Sequence, residues 1–281
     1  MSLLSPESLA VFLSPGELVA IRRQGFARKI VDKRRTPLVA TSDKTWEGAA
    51  QAFAALLQEF PSCRQVRVTL SSHFVQYLLM PWREDLNDRE EELAIARLAF
   101  AETYGEAAAD WQVRLSDEAP GIPRVAAAVA TDLLSALEKA ATDNKVKLLA
   151  IQPYLSAAAN YWNACFKRDQ SSWLVVHEEG RLSVALADRG RWRWIRSLRV
   201  GADWAASLLE LLDNELLLAG IELPPAQALI FAPAMPEVAV PAGSRWSFRS
   251  LLPAAVANFS PTTDSHFGFA LVGQVKCHAS N

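Results

Sequence analysis

Residues 9–31 (LAVFLSPGELVAIRRQGFARKIV) and residues 173–200 (WLVVHEEGRLSVALADRGRWRWIRSLRV) decide the fold. In each stretch, two apolar runs flank a short turn that contains glycine, and a third strand-like run follows. This is the pattern of a tight strand-turn-strand with an additional strand. Because each stretch opens one half of the chain, the repetition predicts a two-lobed α/β protein whose lobes have mixed sheets and flanking helices.

The composition is that of a folded protein with little net charge. The chain has 281 residues, of which 51% are hydrophobic and 21% are charged, and this balance excludes intrinsic disorder. The net charge of −2 gives no electrostatic reason to bind nucleic acid or an anionic membrane surface. We therefore expect no nucleic-acid partner.

Cysteine usage and hydropathy narrow the class of protein further. The cysteines Cys63, Cys165 and Cys277 are widely separated, which argues against a disulfide framework and against a zinc site. No run approaches the roughly 18 to 20 apolar residues that span a bilayer. The N-terminus carries Glu7 and lacks the basic leader of a signal peptide. We expect a cytoplasmic protein without direct membrane insertion.

The pattern between the repeats predicts how further elements pair. Alternating apolar residues at 66–70 and 74–80 predict a hairpin of two strands that ends at Pro81. Residues 124–163 have the order strand, helix, strand, helix, which favours a parallel pairing of the two strands. Residues 250–259 are a candidate for a further helix.

A change in composition marks the boundary between the halves. The apolar run that ends at Phe166 is followed by the charged and small residues KRDQSS at 167–172. We therefore assign residues 1–166 to lobe I, residues 173–274 to a reduced lobe II, and residues 275–281 to a flexible tail.

The repeated turns lack the groups that nucleotide hydrolysis requires. In a nucleotide-cleaving protein of this shape, the first turn of each half supplies a carboxylate for Mg²⁺ and a glycine-rich backbone for phosphate. Here Phe12 and His177 stand roughly where those carboxylates are expected. We interpret the turns at Ser14 and Gly16, and at His177 and Gly180, as degenerate, and we predict no catalytic, cofactor-binding or metal-binding residues.

Other acidic and nucleophilic clusters favour structural roles. Glu90–Glu92 suit the first turn of a helix that begins at Asn87 or Asp88, because acidic groups complement the helix dipole. Ser71–Ser72–His73 has no nucleophile elbow, and sequence neighbours rarely form a catalytic pair. His177, Glu178 and Glu179 alternate in direction along a strand, so at most two share a face. We expect the latter group to form a water-exposed turn and not a metal site.

Two basic stretches favour strand edges over binding patches. RKIVDKRR at 28–35 is typical of a solvated edge strand or loop. In the second stretch, Arg189, Arg191, Arg193, Arg196 and Arg199 alternate with Trp192 and Trp194. This alternation is superficially similar to a platform for single-stranded nucleic acid. A half-exposed strand explains it better, although its aromatic face remains open to a partner.

Several longer stretches of the sequence resemble those of a known family. These are the strand ending in LLMPW (78–82), the acidic-start helix NDREEELAIARLAF (87–100), residues 125–162, GRWRWIRSLRVGADW (190–204) and HFGFALVG (266–273). Together with the repeated strands, they resemble the duplicated actin-like, ribonuclease H-type fold. In particular, the chain is similar to the degenerate actin-like proteins of bacterial type IV pilus assembly (PilM) and to the cytoplasmic domain of type II secretion protein L.

The resemblance implies a catalytically inactive scaffold. Active actin-like proteins carry an Asp-x-Gly turn followed by Ser or Thr, whereas this chain has FLSPGE at 12–17, where Pro15 also removes one N–H donor. In the second half, HEEGR at 177–181 places two acidic side chains where a phosphate would approach. Each lost charge-assisted contact costs about 1.5 to 3 kcal/mol. The chain therefore resembles a pseudo-ATPase without a cofactor.

The resemblance also implies a partner and leaves one alternative. In the pilus family, the cleft between the lobes takes a short cytoplasmic peptide of an inner-membrane protein. We therefore expect a scaffold of a pilus or secretion machine that lies in the cytoplasm beside the inner membrane. The alternative is an ATP-binding enzyme of the actin and sugar-kinase superfamily with atypical phosphate-binding turns.

Overall fold

The computed structural model describes residues 7–25, 29–39, 46–86, 88–167, 169–221, 227–238 and 246–274. Within these residues the strands form three sheets, two of five strands and one of three. The two five-stranded sheets carry the repeated stretches of the sequence. The predicted tail at 275–281 lies outside the described residues, as do Arg28 and Asn87.

The first repeat forms a mixed sheet. Its elements are β1 (Ser8–Leu13), β2 (Glu17–Gln24), β3 (Lys29–Pro37), α1 (Glu47–Glu59) and β4 (Gln65–Leu70). With β8 (Lys147–Pro153), the strands have the order β3-β2-β1-β4-β8. The first three strands are antiparallel, and β1, β4 and β8 are parallel.

The second repeat has the same plan. Its elements are β9 (Ser171–Glu178), β10 (Arg181–Asp188), β11 (Arg191–Arg199), α5 (Leu208–Ala219), β12 (Gln227–Phe231) and β13 (Ser247–Ser250). The sheet order is β11-β10-β9-β12-β13, again with three antiparallel strands followed by two parallel additions. The predicted duplication is therefore confirmed.

Three further α-helices lie in the same compact unit as the first repeat. They are α3 (Thr131–Asp143), α4 (Tyr154–Tyr161) and α6 (Gly268–Leu271). Helix α3 packs against α1, whereas α6 packs on β1, β2 and β4. In the second repeat, Leu208, Leu212 and Leu216 lie one helical turn apart on α5 and pack against Trp173 and Val184 of the sheet.

A separate three-stranded sheet lies in the insertion after β4. Its strands are β5 (Val75–Met80), β6 (Trp111–Leu115) and β7 (Arg124–Ala130), in the order β5-β7-β6, and α2 (Arg89–Tyr104) packs on them. Helix α2 begins where predicted, because the Asp88 carboxylate accepts bonds of 2.8 and 2.9 Å from the amides of Glu90 and Glu91. Gly105 ends the helix with φ +66°.

Two predicted strand pairings are wrong. β4 and β5 do not form a hairpin, because β4 has β1 and β8 on its two sides, and both of its edges are therefore used. A turn in which the Phe74 amide donates to the Ser71 carbonyl instead directs the chain into the three-stranded sheet. Strands β7 and β8 likewise belong to different sheets, so they do not form the predicted parallel pair.

The predicted helix at 250–259 is also wrong. Residues 251–255 have no regular structure, and an isolated bridge joins Val256 to Phe259. Asn258 has φ +66°, which a helix does not allow. Pro253 lacks the amide that a helix interior needs.

Contacts divide the described residues into two compact units. One lies within residues 1–75, 130–161 and 252–281, and the other lies within 76–129 and 162–251. These units interleave along the chain, whereas lobe I (1–166) and lobe II (173–274) are consecutive, and those lobe boundaries stay a prediction. Over the part of the chain that the structure describes, no helix has the length and apolar character that crossing a membrane requires.

Candidate functional site at the two hairpin turns

The polar groups of the first turn form hydrogen bonds with one another. The Ser14 amide donates to the Glu17 carbonyl at 3.0 Å, and the Glu17 amide donates to Ser14 Oγ at 3.0 Å. The Ser14 hydroxyl also donates to the Glu17 carbonyl at 3.1 Å. Pro15 has no amide hydrogen, and the Gly16 carbonyl accepts a bond of 2.8 Å from the Leu38 amide. The turn therefore offers few amides to a phosphate, in contrast to a glycine-rich cradle.

Glu17 is the carboxylate of this turn, and the side chains of Arg35 and His266 hold it. Arg35 Nε lies 2.6 Å from one oxygen, and His266 Nε2 lies 2.9 Å from both. Burial raises the pKa of Glu17, but the hydrogen bonds and charges of His266 and Arg35 outweigh burial, so the pKa lies below its usual value of 4.5. These partners occupy the oxygens that a metal ion would need.

Phe12 lies in a dry aromatic cluster, which we call the aromatic plug and define as Phe12, Tyr154 and Phe269. Phe12 stacks on Phe269 with 4.6 Å between ring centroids and meets Tyr154 edge-on at 5.2 Å. None of the three is more than 2% exposed. The place where a metal-binding carboxylate is expected is therefore filled by apolar rings that exclude water.

The C-terminal segment that supplies Phe269 fits closely against β4. A Cβ atom at Gly273 would lie 2.1 Å from Thr69 Oγ1, well inside van der Waals contact. Thr69 itself is buried. Only glycine therefore allows this segment to approach β4 so closely and to hold the plug in place.

The second turn is a tight connection between β9 and β10. Glu178 and Arg181 pair across the two strands, with Glu179 and Gly180 between them. Gly180 has φ +71°, a conformation that other residues adopt at a cost, and its carbonyl accepts a bond of 3.1 Å from the Val200 amide. Gly180 therefore shapes the backbone of the turn.

His177 is buried, contrary to the expectation of a water-exposed turn. Its ring stacks on Trp204 with centroids 4.5 Å apart and 17° between the planes, and the residue is 6% exposed. Burial lowers the pKa of His177 to about 4. Glu178 is also buried, and only Glu179 of the three is exposed. A neutral imidazole, packed in the core of the second repeat, therefore stands where the carboxylate was expected.

The other predicted structural roles fit the geometry. Ser71 and Ser72 are fully buried, and Ser71 Oγ accepts a bond of 3.0 Å from the His73 amide. Trp192 packs on Phe166, with ring centroids 5.5 Å apart. In the described part of the chain, no group of three or more His, Cys, Asp or Glu residues has the arrangement of a metal site.

Sequence reasoning missed the partners that surround the two turns. His266 and Glu17 lie 249 positions apart, and local patterns do not report such a contact. The apolar run at 267–272 was the available signal that this segment is buried. For His177, the signal was its position at the end of an apolar strand, opposite Leu182.

Known structures share this fold. A chain of the PilM–PilN type IV pilus biogenesis complex aligns with a TM-score of 0.66 at 14% identity, and the alignment covers 94% of this chain and 96% of that one. The cytoplasmic domain of EpsL, an inner-membrane component of the type II secretion system of Vibrio cholerae, has a TM-score of 0.59 at 12% identity, covering 94% of each chain.

A third similar structure is a protein of unknown function with an actin-like ATPase fold from Bacteroides thetaiotaomicron. Its TM-score is 0.54 at 10% identity, with 81% of this chain and 82% of that one covered. No protein-family model and no curated protein matches the sequence. The chain therefore has the actin-like fold, and the predicted likeness to these proteins is confirmed at the level of fold.

Proposed function

We propose that this chain is a catalytically inactive actin-like scaffold of a type IV pilus or type II secretion machine. It lies in the cytoplasm beside the inner membrane and docks a cytoplasmic peptide of an integral membrane partner. The similarity to the PilM–PilN and EpsL structures supports the kind of machine. The observation that supports the lack of catalytic activity is the aromatic plug.

The plug is incompatible with a metal-bound triphosphate at the first turn. Placing Mg²⁺ there requires a carboxylate, whereas Phe12 presents an apolar ring packed against the aromatic rings of Tyr154 and Phe269. Burying an unpaired charge against such rings costs several kcal/mol. Removing a buried phenylalanine costs about 3 to 5 kcal/mol, so nucleotide binding does not readily displace the ring.

Glu17 does not replace the missing carboxylate. Its oxygens are held by Arg35 and His266, and a metal ion would have to displace both partners. Breaking the hydrogen-bonded pair of Arg35 and Glu17 leaves the guanidinium ion without its counter-ion. In the second repeat, His177 stacks on Trp204 and supplies no negative charge.

The docking of a peptide is supported by the family resemblance and by the structural similarity to a chain of the PilM–PilN complex. A fold without nucleotide chemistry keeps its surfaces available for extended-peptide recognition, in which main-chain hydrogen bonds and side-chain pockets act together. The function is therefore assembly through protein contacts.

Two measurements test this function. A titration with the cytoplasmic segment of the inner-membrane partner should show saturable binding, and a scrambled peptide of the same composition should not bind. A phosphate-release assay with Mg-ATP should give the rate of the buffer blank. Saturable hydrolysis by purified protein would contradict the scaffold and favour the enzyme alternative.

A further inference from the structure

We propose that the outer edge of β11 docks an acidic, extended segment of a partner protein. This site is distinct from the hairpin turns, and it does not depend on the scaffold function above. Strand β11 is the first strand in the order β11-β10-β9-β12-β13, and among the described residues no strand pairs with its outer side. An edge strand presents backbone N–H and C=O groups that an added strand can pair with.

The edge carries positive charge that the described residues leave uncompensated. Arg189, Arg191, Arg193 and Arg199 are exposed, and none of them makes an ion pair within the described part of the chain. Arg196 differs, because it pairs with the buried carboxylate of Glu215 at 3.2 Å. A row of unpaired guanidinium groups beside unpaired backbone groups is complementary to an acidic strand.

The equivalent edge of the first repeat shows how this protein neutralises a basic strand. On β3, Lys33 lies 2.6 Å from Asp264, and Arg35 Nε lies 2.6 Å from Glu17. Arg34 pairs with Glu59.

The backbone of β3 is also partly occupied. Asn258 Nδ2 donates to the Ile30 carbonyl at 2.8 Å and so uses one outward-facing group of the edge. Apart from the pair of Arg196 with Glu215, strand β11 has neither such ion pairs nor such a side-chain cap within the described residues. The two edges have equivalent places in the duplicated fold, and only that of β11 is left open to an acidic partner.

The register of β11 defines the segment with which an added strand would pair. Arg193 has no partner residue on β10, because Leu186 pairs with Trp194 and Ala187 pairs with Trp192. This bulge interrupts the ladder, whose longer uninterrupted part runs from Trp194 to Arg199. Such a segment is about 20 Å long. An added strand would therefore place acidic side chains near Arg193 at one end and near Arg199 at the other.

The tryptophans of β11 favour a peptide over single-stranded nucleic acid. Stacking of bases requires free aromatic faces. Trp192 packs against Phe166, and Trp194 Nε1 donates to Glu215 at 2.7 Å, so both rings are used within the fold.

The distribution of the arginines favours a peptide over a membrane surface. Arg199 lies opposite Arg181, whereas Arg196 lies opposite Val184 and contacts Glu215 of α5. Since residues two apart on a strand share a face, Arg193 and Arg199 lie on one face of β11, and their charges follow the line of the strand edge. A linear edge fits an extended chain better than it fits lipid headgroups.

Fluorescence anisotropy with a labelled peptide tests the proposal. The probe is a peptide of about eight residues that alternates Glu and Thr, and a Lys and Thr peptide of the same length is the control. A third peptide carries N-methyl groups on alternate amides of the acidic sequence and cannot complete a strand ladder. Binding to vesicles of phosphatidylserine and phosphatidylcholine is measured in a separate experiment.

Matched variants locate the site. R193E/R199E should weaken binding of the acidic peptide roughly tenfold, and R193Q/R199Q should weaken it less. R97E/R114E makes the same change in net charge at exposed residues of α2 and β6 and should leave binding unchanged. Melting temperatures of all variants should match that of the parent, because these side chains are exposed.

Each remaining outcome overturns the proposal. Failure of the parent protein to bind the acidic peptide would do so, as would equal weakening in R97E/R114E. Equal affinity for the N-methylated peptide would show that strand pairing is not involved. Vesicle binding that requires Arg193 and Arg199, without peptide binding, would assign the edge to a membrane instead.

Discussion

Phe12 shows how the surroundings of one side chain decide what a hairpin turn can bind. It occupies the position of the expected carboxylate, and its ring contacts Phe269 and Tyr154. His177 occupies the equivalent position in the second repeat and stacks on Trp204. Both replacements are packed into a core, so they contribute to stability where a charged residue would need a ligand.

Substitution of Phe12 by alanine should strongly destabilise the protein. Removing a fully buried phenylalanine leaves a cavity and costs about 3 to 5 kcal/mol. Leu217→Ala is the control, because Leu217 is 80% exposed and should change stability by less than about 0.5 kcal/mol. Urea unfolding of the three proteins measures both effects. Similar losses for the two variants would contradict the packing of the plug.

His177 should make stability depend on pH in a window above the range in which carboxylates titrate. The folded protein holds the pKa of His177 at about 4, and the usual value is 6.5. The unfolded chain therefore binds the proton first as the pH falls, and stability decreases through this window. Between about pH 7 and pH 5 the expected loss is about 2 kcal/mol.

His177→Phe is the matched variant, since it keeps an aromatic ring against Trp204 but cannot take up a proton. Its free energy of unfolding, measured in urea at the two pH values, should lack this loss. Glu17 does not interfere, because its pKa lies below 4.5 and its contribution is lost only at lower pH. The same pH dependence in both proteins would show that another group is responsible.

At the scale of elements, local patterns predicted the strands better than their partners. β1 to β3 and β9 to β11 followed from alternating apolar residues and turns, and the start of α2 followed from Asp88. The assignment of β5 and β7 to a third sheet did not, because neighbouring strands along a chain need not share a sheet. Strand partners depend on distant contacts that apolar periodicity does not report.

The contact between the C-terminal segment and β4 should be specific to glycine. Gly273→Ala would place its Cβ atom 2.1 Å from Thr69 Oγ1, and such overpacking typically costs about 1 to 3 kcal/mol. Thr69→Ala removes the clashing oxygen. The added cost of Gly273→Ala should therefore be much smaller in the Thr69→Ala background, as a double-mutant cycle in urea measures. Additive costs would contradict this contact.

At the scale of the whole molecule, the fold is built from two repeats of one sheet plan. The two five-stranded sheets have equivalent strand orders, and in the second repeat strands β9, β10 and β12 form a core with helix α5. The two turns could be located because they are local stretches of sequence, and their loss of nucleotide chemistry stays a prediction. The groups that fill them, such as His266 and Phe269, come from the far end of the chain and emerged only in three dimensions.

Calorimetric titration of purified protein with Mg-ATP most directly tests the claim that the fold has lost its nucleotide site. The aromatic plug and the pairing of Glu17 with His266 and Arg35 predict heats no larger than those of dilution, even at millimolar nucleotide. A known ATP-binding protein in the same buffer serves as the positive control. Saturable binding at micromolar concentration would contradict the account.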